Sequence, residues 1–92
     1  MKTKFVYPAL FEAKTGGGYS VSVPDLPGCI TEGDTLEEAF EMTRDAIGTY
    51  LAELESEGKE FPAASDPAGL CPESCGFVAQ VDMDMMAYKL KH

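Results

Sequence analysis

The sequence predicts an α+β fold: a small, mostly antiparallel sheet in the order β-β-β-α-β, with one long helix on one face. Three observations carry this. Apolar residues alternate with a period of two at both ends of the chain, the stretch between them repeats at helical spacing, and Gly and Pro signals fall at the joins. Ninety-two residues suffice for one compact core and are too few for two, so residues 1–92 read as a single domain.

From Lys4 to Ala13, Phe5, Tyr7, Ala9 and Phe11 share one parity while Val6, Pro8 and Leu10 hold the other, the pattern of a strand. Pro8 cannot donate to a ladder, so the strand is expected to have an open side there. Gly16, Gly17 and Gly18 then break the pattern. Tyr19, Val21 and Val23 alternate with Ser20 and Ser22 in a second strand, and the two form a hairpin. A phosphate cradle would need a helix after the glycines and a Lys-Ser/Thr ending, both absent, so the run reads as turn chemistry. Pro24-Asp25-Leu26-Pro27-Gly28 is a second turn, with Asp25 expected to close it, and Cys29 to Glu32 is a short third strand. Tyr7 and Tyr19 are expected to pack on each other across strands with hydroxyls in water.

Thr35 followed three residues later by Glu38 fits a capping box and starts the helix. Leu36, Ala39, Phe40, Thr43, Ala46, Ile47, Tyr50, Leu51 and Leu54 fall within an arc of about 140° when wound at 100° per residue, the stripe a helix lays on a sheet. Gly58 is its natural stop. Gly48 falls at what looks like an exposed mid-helix position, where alanine would be better by about 1 kcal/mol, and the sequence offers no reason for it beyond tolerance or a close neighbour. Residues 59–76 are rich in Pro, Ala, Gly and Ser and aperiodic, a long loop. Phe77, Ala79, Val81, Met83 and Met85 then alternate with Val78, Gln80, Asp82 and Asp84 in a last strand, and residues 86–92 form a short amphipathic tail.

Sixteen acidic residues against seven basic ones give a net charge of −9, a field that repels phosphate backbones and attracts basic surfaces. Direct nucleic-acid binding by these residues is not expected. The outer face of the helix carries Glu37, Glu38, Glu41, Asp45, Glu53 and Glu55, answered only by Arg44. Acids in the first turn complement the helix dipole, whereas Glu53, Glu55 and Glu57 near its end oppose it by about 0.3–1 kcal/mol each when exposed. A basic partner or plain solubility accounts for that surplus. No apolar run approaches the roughly 18 residues of a membrane span, and the amino terminus lacks a secretory pattern, so a cytoplasmic protein is expected. Cys29, Cys71 and Cys75 leave an odd thiol, and three cysteines with His92 at no recognisable ligand spacing make a poor zinc set. No metal or cofactor is expected.

The stretch Tyr7-Pro-Ala-Leu-Phe-Glu12, then Gly18-Tyr-Ser-Val-Ser-Val-Pro-Asp-Leu-Pro-Gly28, then Gly33-Asp-Thr-Leu-Glu-Glu-Ala-Phe40 closely resembles the HicB antitoxin family. The match covers roughly residues 4–62 and continues more loosely through the last strand. This resemblance implies a partly degraded ribonuclease-H-like sheet with one helix. It also implies a partner, HicA, a small basic toxin that binds and cleaves mRNA. An antitoxin of this kind blocks the toxin's RNA surface and has no catalytic task. The toxin-facing candidates are Glu37, Glu38, Glu41 and Asp45 on the helix and Asp82 and Asp84 on the last strand. Many family members continue into a carboxy-terminal segment that binds operator DNA, and this sequence reaches Tyr88-Lys-Leu-Lys-His92 without a match to it.

Two other readings compete. Asp25, Glu32, Asp34, Asp82 or Asp84 could gather metal for phosphodiester hydrolysis, which requires carboxylates converging on ions about 4 Å apart. Alternatively the chain is a stand-alone regulatory module that self-associates. Pro8 on the first strand and Met83, Met85 and Met86 near the last mark a candidate edge or apolar seam for a homodimer or homotetramer.

Overall fold

The computed structural model of the chain describes residues 4–70 and 76–91. Its elements are β1 (Lys4–Ala13), β2 (Tyr19–Ser22), β3 (Ile30–Gly33), α1 (Leu36–Ser56), β4 (Gly76–Asp84) and α2 (Met85–Lys91). The strands form one antiparallel sheet in the order β3-β2-β1-β4. The expected α+β architecture stands, with one addition: the tail is helical and lies beside α1.

Alternation in β1 turns Tyr7, Ala9 and Phe11 into the core. The β4 ladder extends the same face, with Tyr7 opposite Val81, Ala9 opposite Ala79 and Phe11 opposite Phe77. β2 pairs with β1 only from Leu10, opposite Ser22, to Ala13, opposite Tyr19. Pro8 therefore stands where β1 has a ladder on the β4 side alone, the open side that its missing N–H requires. The hairpin closes through Gly16, Gly17 and Gly18, all at positive φ, which a side chain resists. Gly33 has a different reason to be glycine. A Cβ there would meet the backbone of Ala39 at 2.5 Å, so the first turn of α1 crosses the end of β3 at glycine distance.

The start of α1 follows its capping signal. Thr35 Oγ1 accepts from the Glu38 amide at 3.1 Å, while the Glu38 carboxylate accepts from the Asp34 amide at 3.0 Å, one residue earlier than a standard capping box. At the other end Gly58 adopts φ +70, its amide reaching the Glu55 carbonyl and the Lys59 amide the Leu54 carbonyl, the bond pair of a Schellman stop. Ala39, Thr43, Ile47 and Leu51 are buried against the sheet, and Thr43 satisfies its hydroxyl on the Ala39 carbonyl at 2.6 Å. Burying Ile47 and Leu51 contributes about 1.5–3 kcal/mol each. Leu36 departs from the predicted stripe: at the very first position it projects past the sheet and stays 40% exposed.

Several expectations based on local pattern are corrected by long-range contacts. Tyr7 and Tyr19 are not cross-strand partners, because β2 begins opposite the far end of β1. Tyr7 is buried, and its hydroxyl donates to the Pro62 carbonyl at 2.7 Å rather than to water. Burial and, secondarily, the charge of Asp25 push its pKa above the ordinary tyrosine value. Asp25 does more than close a turn: its carboxylate accepts from both the amide and the hydroxyl of Ser65. With Phe61 edge-on to Phe5 at 5.1 Å, these bonds fasten the long loop to the sheet. That loop contains one 3₁₀ turn, Pro67–Gly69, capped by Asp66. Leu26, between the two prolines, is fully buried, a core residue that the turn pattern hid. Cys71 and Cys75 lie outside the described residues.

Gly48 is buried, not exposed. A Cβ there would come within 2.6 Å of Met83 Cε and 2.7 Å of Tyr88 Cε1, so the glycine is the gap through which α2 seats its aromatic ring on α1. Two polar bonds hold the same contact: Thr49 with the Tyr88 hydroxyl at 2.8 Å, and Lys89 with Glu55 at 2.6 Å. Glu55, which opposes the helix dipole, is thus answered from α2, and Glu57 is answered by Lys59 at 3.3 Å. Met83 and Met85 are core residues rather than an exposed seam, and Met86 is exposed.

Candidate functional site

The outer flank of α1 runs beside the end of β4 and the start of α2. Helical spacing aligns Glu41, Arg44, Asp45 and Gly48 on that flank. Strand parity sends Met83 inward and Asp82 and Asp84 to the other face. The chain turns sharply after Asp84, whose carboxylate accepts from the Met86 amide at 2.9 Å and so starts α2. Between these elements lies a groove of roughly 270 Å³, lined by Glu41, Arg44, Asp45, Met83, Asp84 and Tyr88 among others. Its lining combines apolar and aromatic residues, Met83, Ala87 and Tyr88, with the charged residues Glu41, Arg44, Asp45 and Asp84.

The six carboxylates singled out from the sequence separate into three groups. Glu41, Asp45 and Asp84 share the groove. Asp82 stands beside it on β4, where Arg44 Nη2 donates to its carboxylate at 3.2 Å and Arg44 Nε donates to its backbone carbonyl at 3.1 Å. That hydrogen bond, more than the charge of the guanidinium, holds the Asp82 carboxyl below the usual carboxylate range. Glu37 and Glu38 sit about one turn earlier, at the start of α1, and Glu38 is committed to the cap. Arg44 also lies over the Phe40 ring at 5.9 Å, and Phe40 in turn contacts Phe11 at 4.6 Å, so the guanidinium is positioned from the core outward.

The five carboxylates considered for metal catalysis do not gather. Asp25 holds Ser65, Glu32 pairs with Lys14 at 2.7 Å, and Asp34 lies in the turn before α1. Asp82 holds Arg44 and Asp84 starts α2. The Lys14 bond lowers the Glu32 pKa. Among the described residues, no group of three or more His, Cys, Asp or Glu side chains is arranged to hold a metal ion. No described helix is long and apolar enough to cross a membrane.

Arg44, Gly48 and Tyr88 are the site residues that sequence reasoning missed. A signal existed for two of them. Arg44 is the lone cation on an acidic face, and a glycine inside an otherwise strong helix asks for a close neighbour.

Fold and flank together define a class: a four-stranded antiparallel α+β domain with one covering helix and an acidic groove beside its last strand. The family profile described as a HicB_like antitoxin of bacterial toxin-antitoxin system matches residues 7–92, and the chain belongs to that family. It is 43% identical over 56 residues to Antitoxin HicB 1 of Photorhabdus laumondii, covering 61% of this chain and 36% of that protein. It is also 40% identical over 60 residues to an uncharacterized 14.9 kDa protein of Haemophilus phage HP1, covering 65% of this chain and 44% of that one. The chain thus spans less than half the length of these two relatives. Among solved structures, it superposes on a chain of a toxin-antitoxin complex from Streptococcus pneumoniae with a TM-score of 0.83 and 25% identity, covering 92% of this chain and 72% of that one. The N-terminal domain of the Burkholderia pseudomallei antitoxin HicB superposes with a TM-score of 0.74 and 27% identity, covering 84% and 95%.

Proposed function

We propose that this chain acts in the cytoplasm as a non-enzymatic antitoxin. In this reading it binds a small basic RNA-cleaving toxin of the HicA kind through the acidic flank formed by α1, the end of β4 and the start of α2, and it works as an assembly of copies. The observation that carries the reading is the convergence of Glu41, Asp45 and Asp84 on one groove, within a protein of net charge −9. Carboxylates placed this way steer a cationic surface into contact and fix its register. Asp82, Glu37 and Glu38 add to the negative field and contribute to encounter more than to the final contact. The groove's aromatic and thioether lining residues suit the aliphatic stem of an arginine or lysine whose head meets the carboxylates.

The test titrates the protein into an RNA-cleavage assay with a HicA-type toxin and measures association by a kinetic binding method. Cleavage is expected to fall stoichiometrically. The triple variant Glu41→Gln, Asp45→Asn, Asp84→Asn is expected to lose affinity by about tenfold or more at low salt, mainly through slower association. Equal inhibition by the variant and the parent, at matched folding, would remove the acidic groove from the proposal.

A further inference from the structure

We infer that the free edge of β4 pairs with the same edge of a second copy of this chain, in an antiparallel two-fold arrangement centred on Ala79. This rests on the self-association in the functional reading above and assigns its interface.

β4 is the last strand in the sheet order, and no described strand lies on its far side. The direction of its backbone groups follows from two independent contacts. Pro8 faces Gln80 in the β1–β4 register and has no N–H to exchange, which places that pair, and every second one along the ladder, at the non-hydrogen-bonded positions. Val78, Gln80 and Asp82 therefore turn their N–H and C=O groups outward. Arg44 marks the same direction, since its Nε reaches the Asp82 carbonyl from outside the ladder.

Sheet edges that stay single are guarded by charge, proline, bulges or shortness. β4 has none of these over its first six residues, Gly-Phe-Val-Ala-Gln-Val from Gly76 to Val81; of the other device, a covering loop, the 3₁₀ turn Pro67–Gly69 is the described loop element that packs against β4. These six residues carry no charge and no proline, and the register runs unbroken from Glu12 opposite Gly76 to Lys4 opposite Asp84. The opposite edge, β3, has four residues, one of them Glu32 in its ion pair with Lys14.

The unguarded stretch is complementary to itself. A two-fold axis at Ala79 sets Ala79 against its copy, where the small side chain suits the close spacing of a non-hydrogen-bonded pair. Phe77 then faces Val81 on the inner side. Phe77 is stacked on Phe11 at 5.0 Å yet remains 37% exposed, so apolar surface is open to the copy. Val78 faces Gln80, and each such pair exchanges both backbone bonds. Asp82 falls opposite Gly76, which keeps the carboxylates of the two copies apart, while Arg44 on the Asp82 carbonyl ends the ladder. Shifting the axis to Gln80 would set Asp82 against Val78 and waste both. A second copy fits this edge better than a cationic partner does, because the charge that would attract a cation begins only at Asp82. The groove formed by Glu41, Asp45 and Asp84 lies beyond the paired stretch and stays open.

The experiment measures solution mass across concentration for the parent and Val78→Pro, together with residue-resolved amide exchange of the parent. Proline at 78 removes an outward N–H and no β1–β4 bond, so dimerisation is expected to weaken by about 10- to 100-fold for the two symmetry-related bonds lost. In the parent, the Val78 and Gln80 amides are expected to slow as concentration rises, while those of Ala79 and Val81 do not change. A parent that is monomeric at all concentrations overturns both the self-association and this interface. A dimer that survives Val78→Pro, or concentration-independent exchange at Val78 and Gln80, overturns the interface alone and leaves self-association to another face. Should Val78→Pro not fold, the exchange measurement on the parent decides. Toxin inhibition by the acidic groove is read in a separate assay and does not depend on either result.

Discussion

The inner stripe of α1 and its flank toward α2 lie side by side on one helix and follow different rules. On the stripe, Ala39, Thr43, Ile47 and Leu51 are buried with their polar groups satisfied, and each is held by the area it removes from water. On the flank, Glu41, Arg44 and Asp45 are at least partly exposed, aligned by helical spacing, with Arg44 held by its two hydrogen bonds to Asp82 and by the Phe40 ring. Stability resides on the first, and the proposed recognition falls to the second, because exposed ion pairs contribute little to folding while still shaping the field a partner meets. Gly48 is where the two meet, buried like the stripe yet facing α2.

Ile47→Ala probes the stripe and carries the largest expected effect. It leaves a cavity beneath the helix and is expected to cost about 2–5 kcal/mol in denaturant unfolding. A loss below about 1 kcal/mol would mean the site collapses around the cavity and the stripe is not the seat of stability.

Gly48→Ala sharpens the boundary. Helix propensity favours alanine by about 1 kcal/mol, but the new Cβ must displace the ring of Tyr88 and the tip of Met83, and overpacking of this kind costs about 1–3 kcal/mol. A net loss is expected, with α2 released from α1. In a Tyr88→Ala background, where the ring no longer fills the space, the same change is expected to become neutral or stabilising. A double-mutant cycle read by thermal unfolding checks the sign, and additivity would refute the close-packing account of Gly48.

Arg44→Gln on the flank carries the smallest effect, no more than about 1 kcal/mol, since Arg44 and Asp82 are both largely exposed. Its pH dependence is the sharper readout. Arg44 lowers the Asp82 pKa in the folded state, so the contribution is present above the ordinary carboxylate pKa of about 4 and is lost as pH falls below it. Acid unfolding of Arg44→Gln is therefore expected to show a shallower loss between about pH 4 and pH 2 than the parent.

Much of this fold was legible because the signals are local. The parity of Phe5 to Phe11, Thr35 with Glu38, and Gly58 each report on structure a few residues away. What the sequence did not show is set by residues far apart along the chain. Leu26 looks like a turn residue until the loop's return over the core is known, and the Tyr7 hydroxyl finds its acceptor at Pro62. Gly48 makes sense only once Tyr88 is beside it. The candidate site divides the same way: the acidic residues could be picked out by charge and Glu38 assigned to the cap, but that Glu41, Asp45 and Asp84 line one groove while Asp82 is held by Arg44 depends on how β4 and α2 dock against α1.

The long β1–β4 ladder joins residues 4–12 to residues 76–84 and thereby sets a schedule for the protein's birth. The first strand leaves the ribosome early, with its Phe and Tyr side chains committed to a partner that has not been made. At roughly 5–20 residues per second, that partner follows several seconds later. During that interval the β2 hairpin can cover only the far half of β1, and the near half, from Lys4 to Ala9, waits for the last strand. Such distant pairing is the slow step that topology predicts. Any truncation before Gly76 thus removes the β4 partner of β1 from Lys4 to Glu12 and leaves Lys4 to Ala9 with no strand beside them.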